Sequence, residues 1–301
     1  MSRLRVTARV QLMKEIVDLL SVLTEEAKLV WKENGLQISV VDGSHVALLS
    51  ATIGDACFET YEVEPGILLG KASWPSDSAG NRRRVIEFVN SGDEMALGIE
   101  LVKLRDFLSV FRPSDLVKLD YDGAIGAINV RVGAVHRILR GLDTSTMNEP
   151  KMPPLSFDSR ATIDASKLSN ALILAKFVGE LVDLGLDSNQ MSVSVTVEAG
   201  ESVNVKFDAG ELSELVAPNP THSTYSLQSL DPLTRKLASG LTDSITLEFQ
   251  DKYPLRLTWN TNEGGASWEY FLAPHNPYPD VPPAGPQSYS PDGFERYKIR
   301  K

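Results

Sequence analysis

The sequence predicts an internally duplicated α+β protein. Three observations carry this: a short amphipathic helix followed by two alternating strands recurs four times, two copies fall on each side of a proline-bearing break, and each copy turns at a Gly- or Pro-marked point. With 301 residues, 42% of them hydrophobic, the chain can bury a sizeable core and suits one large or two medium domains.

The first copy places Val10, Met13, Val17 and Leu20 at helical spacing, and the following AKLVWKENGLQISVV predicts a hairpin turning at Asn34-Gly35. In the second, Leu101, Leu104, Leu108 and Phe111 form one helix face, and the strands turn at Asp122-Gly123. In the third, Leu168, Leu172 and Ala175 form the buried side, with strands on either side of Ala199-Gly200. The fourth carries Leu227, Leu230, Leu233 and Leu237; Pro232 is expected in the first turn of that helix, and the strands turn through Asp251 to Pro254.

GLDTSTMNEPKMPPLSFD breaks both periodicities, and its prolines favour an extended linker. The expected organisation is an N-terminal domain at 1–143 with a polar insertion at about 70–92, a connector at 144–156, a second domain at 157–274, and a flexible Pro-rich tail at 275–301.

Composition narrows the function. Thirty Lys and Arg against forty Asp and Glu give a net charge of -10, which argues against a surface that coats nucleic acid everywhere but leaves room for a local basic stripe. A single cysteine, Cys57, rules out a disulfide framework and any cysteine-cluster metal site. No apolar run is long enough to cross a bilayer, and the start lacks the apolar core of a signal peptide, so an intracellular protein is expected. The four histidines are scattered, and the sequence has neither a Gly-x-Ser-x-Gly elbow nor a phosphate-binding Gly-x4-Gly-Lys-Ser/Thr loop. No enzyme, cofactor or metal is expected.

Two segments carry a resemblance: VDGSHVALLSATI at Val41–Ile53 and WEYFLAPHNP at Trp268–Pro277. Both are similar to signature segments of the archaeal and eukaryotic DNA sliding clamp, the proliferating cell nuclear antigen (PCNA) family, and the order of elements agrees over about residues 4–275. The resemblance implies the duplicated DNA-clamp fold and a pseudo-sixfold homotrimeric ring around double-stranded DNA. Such a processivity factor contacts DNA without regard to sequence and tethers a DNA polymerase and other replication and repair enzymes. It also implies a clamp loader, a flap endonuclease and a ligase as partners, the enzymes bound through a short peptide motif, and a DNA-associated location in the cytoplasm or nucleoid, or in an infected host cell if the source is viral.

Carried over position by position, the DNA-facing candidates are Lys14, Lys103, Arg105, Arg112, Lys167, Lys176, Arg235 and Lys236, while Leu20, Asp106 and Ser109 stand where the family usually has lysine. Read without the resemblance, these are ordinary solvated charges on amphipathic helices. The weak basic set raises two possibilities: work at high salt, or a positive field supplied partly by Arg82, Arg83 and Arg84 in the insertion.

The partner-peptide pocket implied by the resemblance comprises Val41, His45, Val46, Pro254, Phe271, Leu272, Ala273 and Pro274, with Met147 and Met152 from the connector. The subunit edges implied are about 133–142, with Arg137 and Arg140, and about 209–216, with Glu211 and Glu214, whose opposite charges suit a head-to-tail contact. Two alternatives stay open: a non-enzymatic β-rich structural or interaction protein, and a subunit of a heteromeric or checkpoint-type clamp.

Overall fold

The structure is a computed structural model. It describes residues 3–64, 94–122, 126–147, 150, 154–198, 200–262 and 265–275, together with the backbone of four two-residue strands between 67 and 90. By internal contacts the chain divides into two units, Met1–Val17 with Glu26–Ile38 and Thr52–Asn148, and Asp18–Glu25 with Ser39–Ala51 and Glu149–Lys301.

The chain opens with β1 (Arg3–Arg9), α1 (Val10–Leu20), β2 (Glu26–Lys32), β3 (Gly35–Val41), β4 (Ala47–Gly54) and β5 (Thr60–Glu64). The short strands β6 (Ile67–Leu68), β7 (Ala72–Ser73), β8 (Val85–Ile86) and β9 (Val89–Asn90) pair as two nested ladders, β6 with β9 and β7 with β8. Then come β10 (Glu94–Glu100), α2 (Leu101–Ser109), β11 (Leu116–Asp122), β12 (Ala127–Val132) and β13 (Val135–Arg140). The remaining elements are β14 (Arg160–Asp164), α3 (Ala165–Lys176), β15 (Leu181–Leu186), β16 (Gln190–Thr196), β17 (Ser202–Asp208), β18 (Glu214–Val216), β19 (Thr221–Ser226), α4 (Leu227–Lys236), β20 (Ser244–Glu248), β21 (Leu255–Asn260) and β22 (Ser267–Leu272).

In the first unit, five strands run in the order β13-β12-β11-β1-β5, and β10 pairs with β2, which pairs with β3. In the second, one ladder runs β4-β22-β21-β20-β14-β18, and a four-stranded sheet runs β17-β16-β15-β19. Each of the four helices begins at the residue after a strand ends: Arg9 to Val10, Glu100 to Leu101, Asp164 to Ala165 and Ser226 to Leu227. The repeat is therefore strand, helix, strand, strand, one strand more than the hydrophobic pattern alone suggests. At α3 the Asp164 carboxylate caps the junction, accepting the N–H groups of Ser166 and Lys167 at 2.8 and 3.0 Å.

The helix faces follow the apolar spacing. Val10, Met13, Val17 and Leu20 are fully buried, as are Leu168, Leu172 and Ala175 on α3 and Leu227, Leu230, Leu233 and Leu237 at α4. Three details differ from the sequence reading. Phe111 lies beyond the end of α2 at Ser109, and Phe107 fills the buried face instead. Pro232 sits inside α4, not in its first turn; lacking an N–H it cannot bond back to the Gln228 carbonyl, so the helix runs one bond short. The first hairpin turns at Glu33-Asn34, with Gly35 already paired to Lys32. Gly35 is required for another reason: its φ is +138°, and a Cβ there would lie 2.2 Å from the Ile53 carbonyl oxygen. The Asp122-Gly123 and Ala199-Gly200 turns fall partly on residues outside those described, as do Arg82, Arg83, Arg84 and the tail beyond His275.

Candidate partner-binding and DNA-facing surfaces

In the second unit, the two signature segments meet. Leu48 of β4 and Phe271 of β22 are 2% and 4% exposed and pack together, with Val41 and Leu155 against them. The Ala273 N–H donates to the Val46 carbonyl at 2.9 Å, so the ladder continues past the end of β22. Val46 itself is 36% exposed, which leaves an apolar rim beside the buried pair.

The loop between β3 and β4 is built by Asp42. Its Oδ1 accepts the N–H groups of Val46 and Ala47 at 2.9 and 2.7 Å, its other oxygen takes the Ser44 hydroxyl, and its own N–H donates to the Ala47 carbonyl at 3.1 Å. This folds His45 into the left-handed region, φ 56°, with its side chain exposed. His45 was legible as the unusual residue of the segment, but Asp42 is the one that shapes it.

The connector's C-terminal end is fastened to the same unit three times over. Leu155 packs on the Leu48 and Phe271 cluster, the Ser156 carbonyl accepts Gln250 Nε2 at 3.1 Å, and the Phe157 ring meets Tyr253 edge-on at 5.5 Å. The guanidinium of Arg256 lies 5.1 Å from the Phe157 centroid and is paired with the buried Glu248 carboxylate. Asp251 ties the neighbouring turn, accepting the Thr221 hydroxyl and the His222 N–H, both at 2.7 Å; these bonds, the backbone one first, hold its carboxyl below the ordinary range. Beneath the groove, the Tyr270 hydroxyl donates to the Ser229 carbonyl at 3.0 Å, and burial, then the charge of Asp42, pushes its pKa well above the ordinary tyrosine range.

Of the sequence-predicted pocket residues, Val41, Val46, Phe271 and Ala273 stand at this groove, with His45 on the loop beside it. Leu272, Pro254 and Pro274 are buried beneath the surface. Met147 follows the short turn Thr144–Thr146 in the first unit, and Met152 lies outside the described residues. Leu48 and Leu155 were missed; Leu48 lies within the first segment and Leu155 in the connector, where only their apolar character marks them.

The DNA-facing candidates are for the most part already engaged. Lys14 Nζ donates to the Phe111 carbonyl at 2.9 Å, Lys103 pairs with Glu100 at 2.6 Å, Lys167 with Glu211 at 3.1 Å and Lys236 with Asp18 at 3.6 Å. Lys176 and Arg235 share one carboxylate, that of Asp231, at 2.6 Å each. For Arg105 and Arg112 no side-chain partner stands among the described residues. Leu20 is fully buried, so the helix position read as a missing lysine belongs to the core.

At the predicted edges, β13 is the outermost strand of its sheet and shows Val135 and Ile138 at 48% and 62% exposure, while Arg137 Nη1 donates to the Lys103 carbonyl at 3.1 Å. Glu214 lies on the outermost strand β18 but pairs with Arg160 at 2.7 Å, and Glu211 is taken by Lys167. Both acids thus have partners within the chain, and the four-stranded sheet ends at β17, before the predicted stretch.

Residues 3–72 match the family model described as proliferating cell nuclear antigen, N-terminal domain. Over most of the chain there is also a structural likeness. A solved structure described as the C-terminal region of FEN-1 bound to A. fulgidus PCNA superposes with a TM-score of 0.76 at 22% identity, covering 91% of this chain and 99% of that one. The fold is that of a PCNA-type sliding clamp. PCNA from Thermococcus kodakaraensis shares this clamp fold at a TM-score of 0.74 and 18% identity, over 90% of this chain and all of that one. Among sequences, the chain is 24% identical over 260 residues to a DNA polymerase sliding clamp of Natronomonas pharaonis, covering 86% of this chain and 92% of the relative. A sliding clamp of Haloarcula marismortui is 23% identical over the same shares. Among the chain's described residues no helix is long and apolar enough to cross a membrane, and no cluster of three potential metal ligands occurs.

Proposed function

We propose that this chain is a DNA polymerase sliding clamp, a non-enzymatic processivity factor that surrounds duplex DNA and tethers replication and repair enzymes. The observation that carries this is the agreement of 90–92% of the chain with the PCNA fold, since solved clamps are matched over 99% or more of their own length. The full-length sequence relatives bearing the sliding-clamp name support it.

On this reading the groove at Val41, Leu48, Leu155 and Phe271 receives a partner's short peptide. A relative of the same fold was solved with the C-terminal region of a flap endonuclease, which fits a groove of this kind. Polymerase, clamp loader and ligase would use the same surface. Three copies would close head to tail, with β13 of one protomer against a sheet edge of the next, and the helices would present Lys14, Lys103, Arg105, Arg112, Lys167, Lys176, Arg235 and Lys236 to phosphates.

The test is light scattering coupled to size exclusion over a range of salt, followed by polymerase extension on primed circular DNA. A mass of three chains and longer products are expected. A chain that stays monomeric at every salt and leaves product length unchanged overturns the proposal.

A further inference from the structure

Two cations of α3 and α4 in the second unit, Lys176 and Arg235, are organised around one acid. Asp231 lies in α4 with its side chain 3% exposed, while Lys176, at the end of α3, and Arg235, one turn further along α4, are 48% and 49% exposed. Each carboxylate oxygen takes one cation: Oδ2 accepts from Lys176 Nζ and Oδ1 from Arg235 Nε, both at 2.6 Å. The two positive groups therefore stand at the surface over a buried negative one.

Two consequences follow from elementary electrostatics. The local net charge is one positive where the sequence offers two, and neither cation can leave without stripping a buried carboxylate of its partner, which costs more than the pair itself contributes. Burial alone would raise the acid's pKa, yet the two cations more than offset it and hold the carboxyl below the ordinary range, so the anion persists at neutral pH. The cations are not removed from use: Arg235 spends only Nε on Asp231, and its two terminal nitrogens keep donors for a phosphate.

We propose that Asp231 is a built-in brake on phosphate attraction, holding Lys176 and Arg235 so that the helix pair touches DNA weakly and lets it pass. The proposal rests on the clamp reading above. It assigns Asp231 a positioning role through the two cations and no contact with DNA of its own.

The experiment is fluorescence anisotropy of a short labelled duplex against the full-length protein across a salt series. Asp231→Asn keeps the shape and removes the charge. The expected result is affinity raised several-fold at low salt, with the slope of log K against log salt steeper by about 0.9, the increment for one additional phosphate contact. Adding Lys176→Gln to that variant should return the slope to its starting value. Unchanged or weaker binding by a D231N protein that melts like the parent overturns the brake. Should D231N fail to fold, the parent protein supplies the second test. Its Arg235 Nε–H resonance should stay protected from exchange when duplex is added, and its loss on adding DNA overturns the proposal. A parent protein with no salt-dependent affinity for duplex at the lowest salt overturns the DNA-facing assignment itself. Normal parent binding without a gain in D231N removes only the brake.

Discussion

The Ala273 N–H donates to the Val46 carbonyl at 2.9 Å, joining the middle of one signature segment to the middle of the other. Segments more than two hundred residues apart in sequence thus form one ladder, and the apolar groove depends on both. Leu48 and Phe271 form the buried pair, with Val41 and Leu155 packed against it. Leu155→Ala should lower the affinity for a clamp-binding peptide about tenfold while costing little stability, because the side chain is only half buried. Phe271→Ala should remove peptide binding and also cost about 3–5 kcal/mol. Peptide titration alongside urea unfolding of each variant checks both.

Asp42→Ala deprives the Val46 and Ala47 amides of their shared acceptor. Hydrogen bonds to a charged group contribute about 1.5–3 kcal/mol where shielded and less at an exposed loop. The expected outcome is a native melting curve, faster hydrogen exchange at Val46 and Ala47, and weaker peptide binding. Unchanged exchange at those amides would contradict the loop architecture.

Edge pairing between protomers should depend on apolar contact more than on charge, since Ile138 stands 62% exposed on β13 while Glu211 and Glu214 are already paired inside the chain. Ile138→Asp should therefore give monomers in light scattering at all salt concentrations. Arg137→Glu with Arg140→Glu should weaken the ring chiefly at low salt, where charges are least screened.

Acid should destabilise the second unit through Asp231 and Asp251, whose folded pKa values lie below the ordinary carboxylate value. A depressed pKa means the folded state holds its protons less tightly than the unfolded one. The stabilisation is then complete above about pH 4–5 and is lost as pH falls through the folded pKa. Melting temperature measured from pH 7 downward should fall below about pH 4, less steeply in D231N than in the parent.

Gly35→Ala should be strongly destabilising, by about 3 kcal/mol or more, because the left-handed backbone and the Ile53 carbonyl both exclude a Cβ. Thermal unfolding of the purified variant checks it.

The four helices were legible because each apolar face repeats at helical spacing, and the two segments that the fold brings together stood out in the sequence. What escaped sequence reading is instructive. Gly35 looked like half of a turn, whereas its true constraint comes from a strand that follows nearly twenty residues later. The DNA-facing cations could be named, but not their engagement. Lys176 and Asp231 are 55 residues apart, and only the i,i+4 spacing of Asp231 and Arg235 hinted at it. Leu48 and Leu155 each look like unremarkable aliphatic residues until the fold sets them on Phe271.

The direct passage of a strand into each helix has a mechanical meaning. With no intervening loop to act as a slack joint, a sideways load on α1, α2, α3 or α4 enters the preceding strand along its axis. There it becomes shear, spread over the hydrogen bonds of a whole ladder instead of being concentrated at one turn. For β1 that means ladders five residues long on one side and seven on the other. Each helix is thus anchored to a strand whose hydrogen bonds must yield together before the helix can move.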